Sequence, residues 1–129
     1  LFRFGATTAP LVKVDINGGL AINSSGSVVT LTADNQTVTV GDRSYIRLTS
    51  DNTTASNRTF VLSTPLKEGQ IIVLEWTSTT NKGELLDDSA MTGGGNVRLS
   101  GNFSPGTADD TLTLIYNGTD CIELCRSNN

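Results

Sequence analysis

Two pairs of neighbouring carboxylates, Asp87-Asp88 and Asp109-Asp110, are the residues of this chain best placed to do chemistry. Two carboxyl groups converging across a cleft can divide the acid and nucleophile roles of glycoside hydrolysis. Adjacent strand residues point to opposite faces, however, and adjacent carboxylates in a loop usually solvate a turn. Asp87, Asp88 and nearby carbonyls are also hard oxygen ligands of the kind calcium takes, but neither pair has the spacing of a calcium loop. Nucleophilic catalysis by a Ser–His or Cys–His pair is excluded, because the chain has no histidine. The expectation is a protein that is not an enzyme and carries no cofactor and no metal.

The two cysteines, Cys121 and Cys125, are four residues apart on one predicted strand. In extended chain that places them about 13 Å apart on one face, well beyond the roughly 7 Å between Cα atoms that a disulfide spans. They read as small buried hydrophobes with free thiols; a bond to a symmetry mate is the alternative. A metal site is poorly served by two thiols without a histidine. Asn-X-Ser/Thr triplets begin at Asn23, Asn35, Asn52, Asn57, Asn102 and Asn117, as expected of a composition so rich in Asn and Thr. Carbohydrate recognition generally wants an exposed aromatic beside polar groups. Trp76 and Tyr45 sit in apolar runs, which leaves Tyr116 as the plausible surface aromatic.

The elements that must position these residues are strands. At 129 residues the chain is one domain's worth. Ser, Thr, Asn and Gly make up roughly two-fifths of it, a composition of short strands and many turns. Runs such as Ile71-Ile-Val-Leu74 argue for order rather than disorder. The net charge is −4 with no basic cluster, so nucleic acid is not an expected partner. No apolar run approaches the roughly 20 residues of a membrane helix, and no signal peptide is visible. The chain opens on Leu1 rather than Met, as expected of a processed or trimmed chain or of the ordered part of a longer one.

Leu11 to Ile16, Ser27 to Ala33, Thr37 to Val40, Tyr45 to Leu48, Arg58 to Ser63, Gln70 to Thr77 and Asn96 to Ser100 read as strands. Gln70 to Thr77 is the longest and the predicted centre of the core, and Thr80 to Gly95 reads as a long polar loop with a short apolar piece at Leu85-Leu86. Residues 111–126 form a hairpin around Asn117-Gly118. A two-residue turn there would set Leu112 against Glu123, a carboxylate on the apolar face. An odd loop with Gly118 as a bulge instead gathers Leu112, Leu114, Ile122 and Leu124 into the core, and is the expected register. The expected fold is all-β, an antiparallel β-sandwich or jelly-roll-like domain with an extended N-terminal arm. Residues 1–25 would be the arm and first strand, and residues 26–129 the compact β domain. Phe2 and Phe4 in the arm, with Leu11, are candidate anchors for a partner; the alternative is that both rings fold back onto the domain's own sheet.

Several segments taken together carry a resemblance. Val29-Thr-Leu-Thr-Ala-Asp-Asn-Gln-Thr-Val38, Tyr45-Ile-Arg-Leu-Thr-Ser-Asp51, Leu85-Leu-Asp-Asp-Ser89, Leu114-Ile-Tyr-Asn-Gly-Thr-Asp120 and Arg126-Ser-Asn128 occur in an order and spacing similar to β modules of tailed-phage virions. These are capsid decoration (cement) proteins and tail-fibre heads, and the resemblance spans roughly residues 20 to 129. It departs at Cys121, where those sequences usually carry an aromatic. The resemblance implies a bacteriophage structural protein on the capsid surface, a homotrimer that bridges subunits of the major capsid protein. Its alternative implication is a lectin-like, receptor-binding head of a tail fibre or spike, using loops 50–57 and 80–95.

Overall fold

A computed structural model describes residues 22–24, 26–53 and 56–129. Within them the chain forms nine strands: β1 (Val29–Leu31), β2 (Gln36–Val38), β3 (Tyr45–Ser50), β4 (Arg58–Leu62), β5 (Ile71–Trp76), β6 (Gly83–Leu85), β7 (Val97–Arg98), β8 (Thr111–Tyr116) and β9 (Cys121–Ser127). From β1 to β6, odd and even strands alternate between two sheets. β1, β3 and β5 lie side by side in parallel, as do β2, β4 and β6. The chain thus climbs as a coil, one strand in each sheet per turn, in a β-solenoid of about four turns.

The antiparallel sandwich or jelly roll expected from the sequence is therefore incorrect. Alternation of apolar and polar residues specifies a strand with one buried face, and it is the same for parallel and antiparallel neighbours. What decides direction is the connection. Among the described residues only the 117–120 segment is a hairpin turn joining neighbouring strands of one sheet. The other polar stretches are corners that carry the chain across to the facing sheet. They stack on one another: Lys82 N–H donates to Asn52 O at 2.8 Å, Ser50 Oγ to Lys82 O at 2.6 Å, and Arg58 N–H to Lys82 O at 3.2 Å. Asn35, in the left-handed region (φ 56°), receives its neighbour's Thr59 hydroxyl on its amide oxygen at 3.1 Å. The wealth of Ser, Thr and Asn is the requirement of these corners, where side chains satisfy backbone groups that no strand reaches.

The interior is a single filling between two sheets. Ile46, Leu74 and Leu112 form one row across β3, β5 and β8, and Leu48 and Trp76 another. They face Val38, Phe60, Leu62 and Leu85 of the second sheet, all buried. Trp76 is the largest of these side chains, and its ring reaches Gly83 on the facing strand. A Cβ on Gly83 would stand 2.0 Å from Trp76 Cη2. The indole N–H donates to Asn81 O at 3.1 Å, so the ring enters the core with its polar edge satisfied. As expected, Gln70 to Thr77 contains the central strand. The polar loop expected over Thr80 to Gly95 is partly wrong, since it contains β6. That strand is three residues long and starts with a glycine, so alternation could not reveal it.

After β6 the chain reverses. Phe103 pairs antiparallel with Leu85, and β8 antiparallel with β5, closing the coil's C-terminal end. β9 then adds a further strand with β7 beside its first two residues, in the order β1-β3-β5-β8-β9-β7. At the other end Ser24 bridges to Tyr45. The N-terminal arm assigned to residues 1–25 lies mostly outside the described residues.

The Trp76–Gly83 contact yields a test. Gly83→Ala is expected to cost about 1–3 kcal/mol by overpacking, measured by urea unfolding. Gly83→Ala combined with Trp76→Leu should be distinctly more stable than the sum of the two single losses, because the smaller side chain makes room for the methyl. Strict additivity would show that the two sites do not touch.

Candidate functional site

The C-terminal hairpin has an inner and an outer face, and both differ from the expected register. Tyr116 pairs with Cys121, Ile115 with Ile122 and Leu114 with Glu123, so the connecting loop is Asn117 to Asp120, four residues rather than an odd number. Asn117 closes it: its N–H donates to Asp120 O at 3.0 Å, and its side-chain oxygen accepts from Thr119 N–H and Asp120 N–H. A bulge in β9 shifts the pairing, so that Leu112 faces Arg126 and Thr113 faces Cys125. Leu112 and Leu114 are buried as expected. Ile122 and Leu124 are not: they are 37% and 53% exposed.

The inner face therefore carries the carboxylate that made this register look unfavourable, and the chain accommodates it. Glu123 receives Arg126 Nε and Nη2 at 2.7 Å each, together with Ser100 N–H at 2.7 Å and Ser100 Oγ at 3.0 Å. Arg126 also donates to Gly101 O and Asn102 O, and lies over the Phe103 ring, 5.8 Å from its centroid. One bidentate ion pair thus roofs the end of the apolar interior and ties segment 100–103 to β9. The Arg126 hydrogen bond, aided by the Ser100 donors and against the effect of burial, holds the Glu123 carboxyl down at about 2.

Three of the four carboxylates in the acidic pairs, those of Asp87, Asp88 and Asp110, hold loops. Asp110 is buried and accepts from Gly106 N–H (2.7 Å), Thr107 N–H (3.1 Å), Thr107 Oγ1 (2.9 Å) and Asn129 N–H (2.8 Å). Burial alone would raise its pKa; the N–H groups of Asn129, Thr107 and Gly106 and the Thr107 hydroxyl together bring it below the usual carboxylate range. Asp109 sits in the left-handed region (φ 71°) and donates its N–H to Trp76 O at 2.8 Å. Asp87 accepts from Leu99 N–H at 2.8 Å, and Asp88 from Asn96 Nδ2 at 2.9 Å and from Arg98. Among the described residues no three His, Cys, Asp or Glu side chains are grouped to hold a metal ion, and no helix is long and apolar enough to cross a membrane. The bulge also separates the cysteines. Cys121 is buried, its thiol pushed up to about 11 by burial and by the Asp120 charge, whereas Cys125 is exposed and neither is bonded. The expectation that both are buried fails for Cys125.

On the outer face three isoleucines stand in line, Ile71 on β5 beside Ile115 on β8 beside Ile122 on β9. Ile71 is 48% exposed, and Leu124 at the bulge extends the apolar surface. Arg98 flanks the row from β7. An apolar row across three neighbouring paired strands is contiguous rather than scattered exposure. Sequence reasoning missed it by assigning Ile122 and Leu124 to the core; the signal was present in Ile71 and Ile115, which lie out of phase with the buried residues of their strands. The anchors expected from the sequence, Phe2, Phe4 and Leu11, lie outside the described residues.

No family model matches the chain, and no curated protein or solved structure matches it either.

Two measurements check the hairpin. In the native protein one thiol per chain, Cys125, is expected to react promptly with a disulfide reagent, and Cys121 only after unfolding; two fast thiols would contradict the burial of Cys121. Glu123→Gln should lose about 1–3 kcal/mol at pH 7. Because the folded carboxyl is depressed, the wild-type advantage is complete above about pH 4.5 and fades as pH falls toward 2. A variant penalty that persisted undiminished at pH 2 would refute the assignment.

Proposed function

We propose that this chain is a structural protein of a tailed-phage virion, a decoration or cement protein that binds the outside of the capsid and bridges subunits of the major capsid protein. The observation that carries the reading is the outward row Ile71–Ile115–Ile122 with Leu124: apolar surface displayed on a rigid sheet, ready to be covered by another protein. The segments similar to virion β modules support the same reading. Work in such a protein is mechanical. Area buried across a junction between two capsid subunits must be lost before the junction opens, so each bound copy raises the pressure the shell withstands.

A homotrimer would multiply weak contacts into stable attachment, since once one subunit is seated the others bind at high effective concentration. Phe2, Phe4 and Leu11 would add anchors at the N-terminal end.

Co-sedimentation with emptied capsids tests the proposal. The Ile122→Lys/Leu124→Lys variant is expected to lose capsid binding at least tenfold, as about 1.4 kcal/mol or more of contact energy is removed, while its melting temperature changes little because both side chains are exposed. Deletion of residues 1–10 is expected to weaken binding as well. Wild-type binding by both altered proteins would overturn the proposal.

A further inference from the structure

On the opposite side of the hairpin from the isoleucine row lies an open cleft of about 350 Å³ between segment 64–66, segment 93–95 and the 116–119 turn. We propose that this cleft is a binding site for a neutral saccharide unit, a site separate from the capsid-contact face.

The lining supplies the two kinds of surface a sugar ring requires. Tyr116 and Leu66, both packed against the core on one side, line the cleft with Pro65 and give it apolar surface suited to the C–H face of a pyranose. The Tyr116 hydroxyl donates to Gly118 O at 2.9 Å, which fixes the ring and leaves its oxygen free to accept a sugar hydroxyl. Thr64 and Thr119 add hydroxyls on either side. Apart from the Tyr116 phenol no ionisable side chain lines the cleft, so nothing there balances a carboxylate or phosphate on the ligand. The volume falls at the lower end of the roughly 300–1,000 Å³ of small-molecule sites.

The glycines build the wall. Gly93, Gly94 and Gly95 all have φ between 78° and 117°. A Cβ on Gly93 would stand 2.0 Å from Thr64 Oγ1, and one on Gly95 would stand 1.8 Å from Thr119 O. Side chains are thus excluded at both positions because Thr64 and Thr119 already fill that space, which draws segments 64–66 and 116–119 tightly against the glycines. At Gly94 the corresponding position is open. The wall is braced before any ligand arrives: Met91 N–H donates to Gly95 O at 2.8 Å, Gly94 N–H to Met91 O at 3.1 Å, and Thr64 N–H to Thr92 O at 2.8 Å. Binding therefore orders little that is not already ordered. The site is shallow and takes one ring, which sets a weak affinity per copy. On an oligomer many copies would act together against a polysaccharide surface.

Amide chemical shifts of the 15N-labelled protein test this in the presence of glucose, galactose, mannose or N-acetylglucosamine, each titrated to about 50 mM. At least one sugar is expected to shift Gly93, Gly94, Gly95, Gly118 and Thr119 with a dissociation constant on the order of 1–10 mM. Thr119 is exposed, so Thr119→Arg should leave the melting temperature unchanged and abolish the shifts. Tyr116→Phe should weaken binding severalfold without abolishing it. No shift in the cleft with any of the four sugars, or undiminished binding by Thr119→Arg, would overturn the proposal. Tighter binding of N-acetylneuraminic acid than of every neutral sugar would overturn the assignment of a neutral ligand. The titration involves no capsid, so its outcome is distinguishable from that of the capsid-binding test.

Discussion

A coil with two strands per turn leaves room for only one layer of side chains between its sheets, and the packing of Trp76 onto Gly83 is where that constraint is tightest. The indole crosses the whole interior and ends against backbone. If the facing residue carried a side chain, the sheets would have to separate, and the rows Ile46–Leu74–Leu112 and Phe60–Leu85 would lose contact on either side. Each buried aliphatic in those rows is worth about 1.5–3 kcal/mol of transfer free energy, so a local separation is felt along the coil. The polar corners follow from the same geometry. A chain that leaves one sheet for the other at every half-turn exposes backbone groups regularly, and stacked Ser, Thr, Asn and Asp side chains satisfy them.

The strands themselves were legible, because buried faces impose alternation: Ile72, Leu74 and Trp76 on β5, and Ile46 and Leu48 on β3, are the residues the pattern singles out. Their direction was not. The Asn117-Gly118 hairpin is the strongest local signal in the chain, yet it describes only the closing reversal, and extending its antiparallel sense to every connection produced the wrong fold class. The coil's repeat was concealed by uneven steps in one sheet, Val29 to Leu48 to Trp76, although the steps Gln36 to Phe60 to Leu85 in the other are nearly equal. Register in the hairpin failed for an instructive reason. A carboxylate on the apolar face was counted as a cost without a partner, but the bulge in β9 brings Arg126 to the same face as Glu123. Paired, the two close the interior; unpaired, either would be strongly destabilising.

That bulge also shapes the functional surface. By absorbing one residue it turns Cys125 outward and leaves Leu124 exposed beside Ile122. β8 then serves two surfaces at once: Ile115 stands in the outer apolar row, and the next residue, Tyr116, faces the glycine-walled cleft. Strand geometry alone ensures that consecutive residues serve opposite sides. In the proposed function a single hairpin would hold a shell on one side and a ligand on the other, with the coil beneath it as support.

The claim that the outer face of β5, β8 and β9 is the capsid-contact surface is tested most directly by electron cryo-microscopy of capsids saturated with this protein. The account predicts density at the junctions between capsid subunits, oriented with the Ile71–Ile115–Ile122 row against the shell. Density confined to the tail, or copies seated on the shell through the β2–β4–β6 sheet, would contradict it.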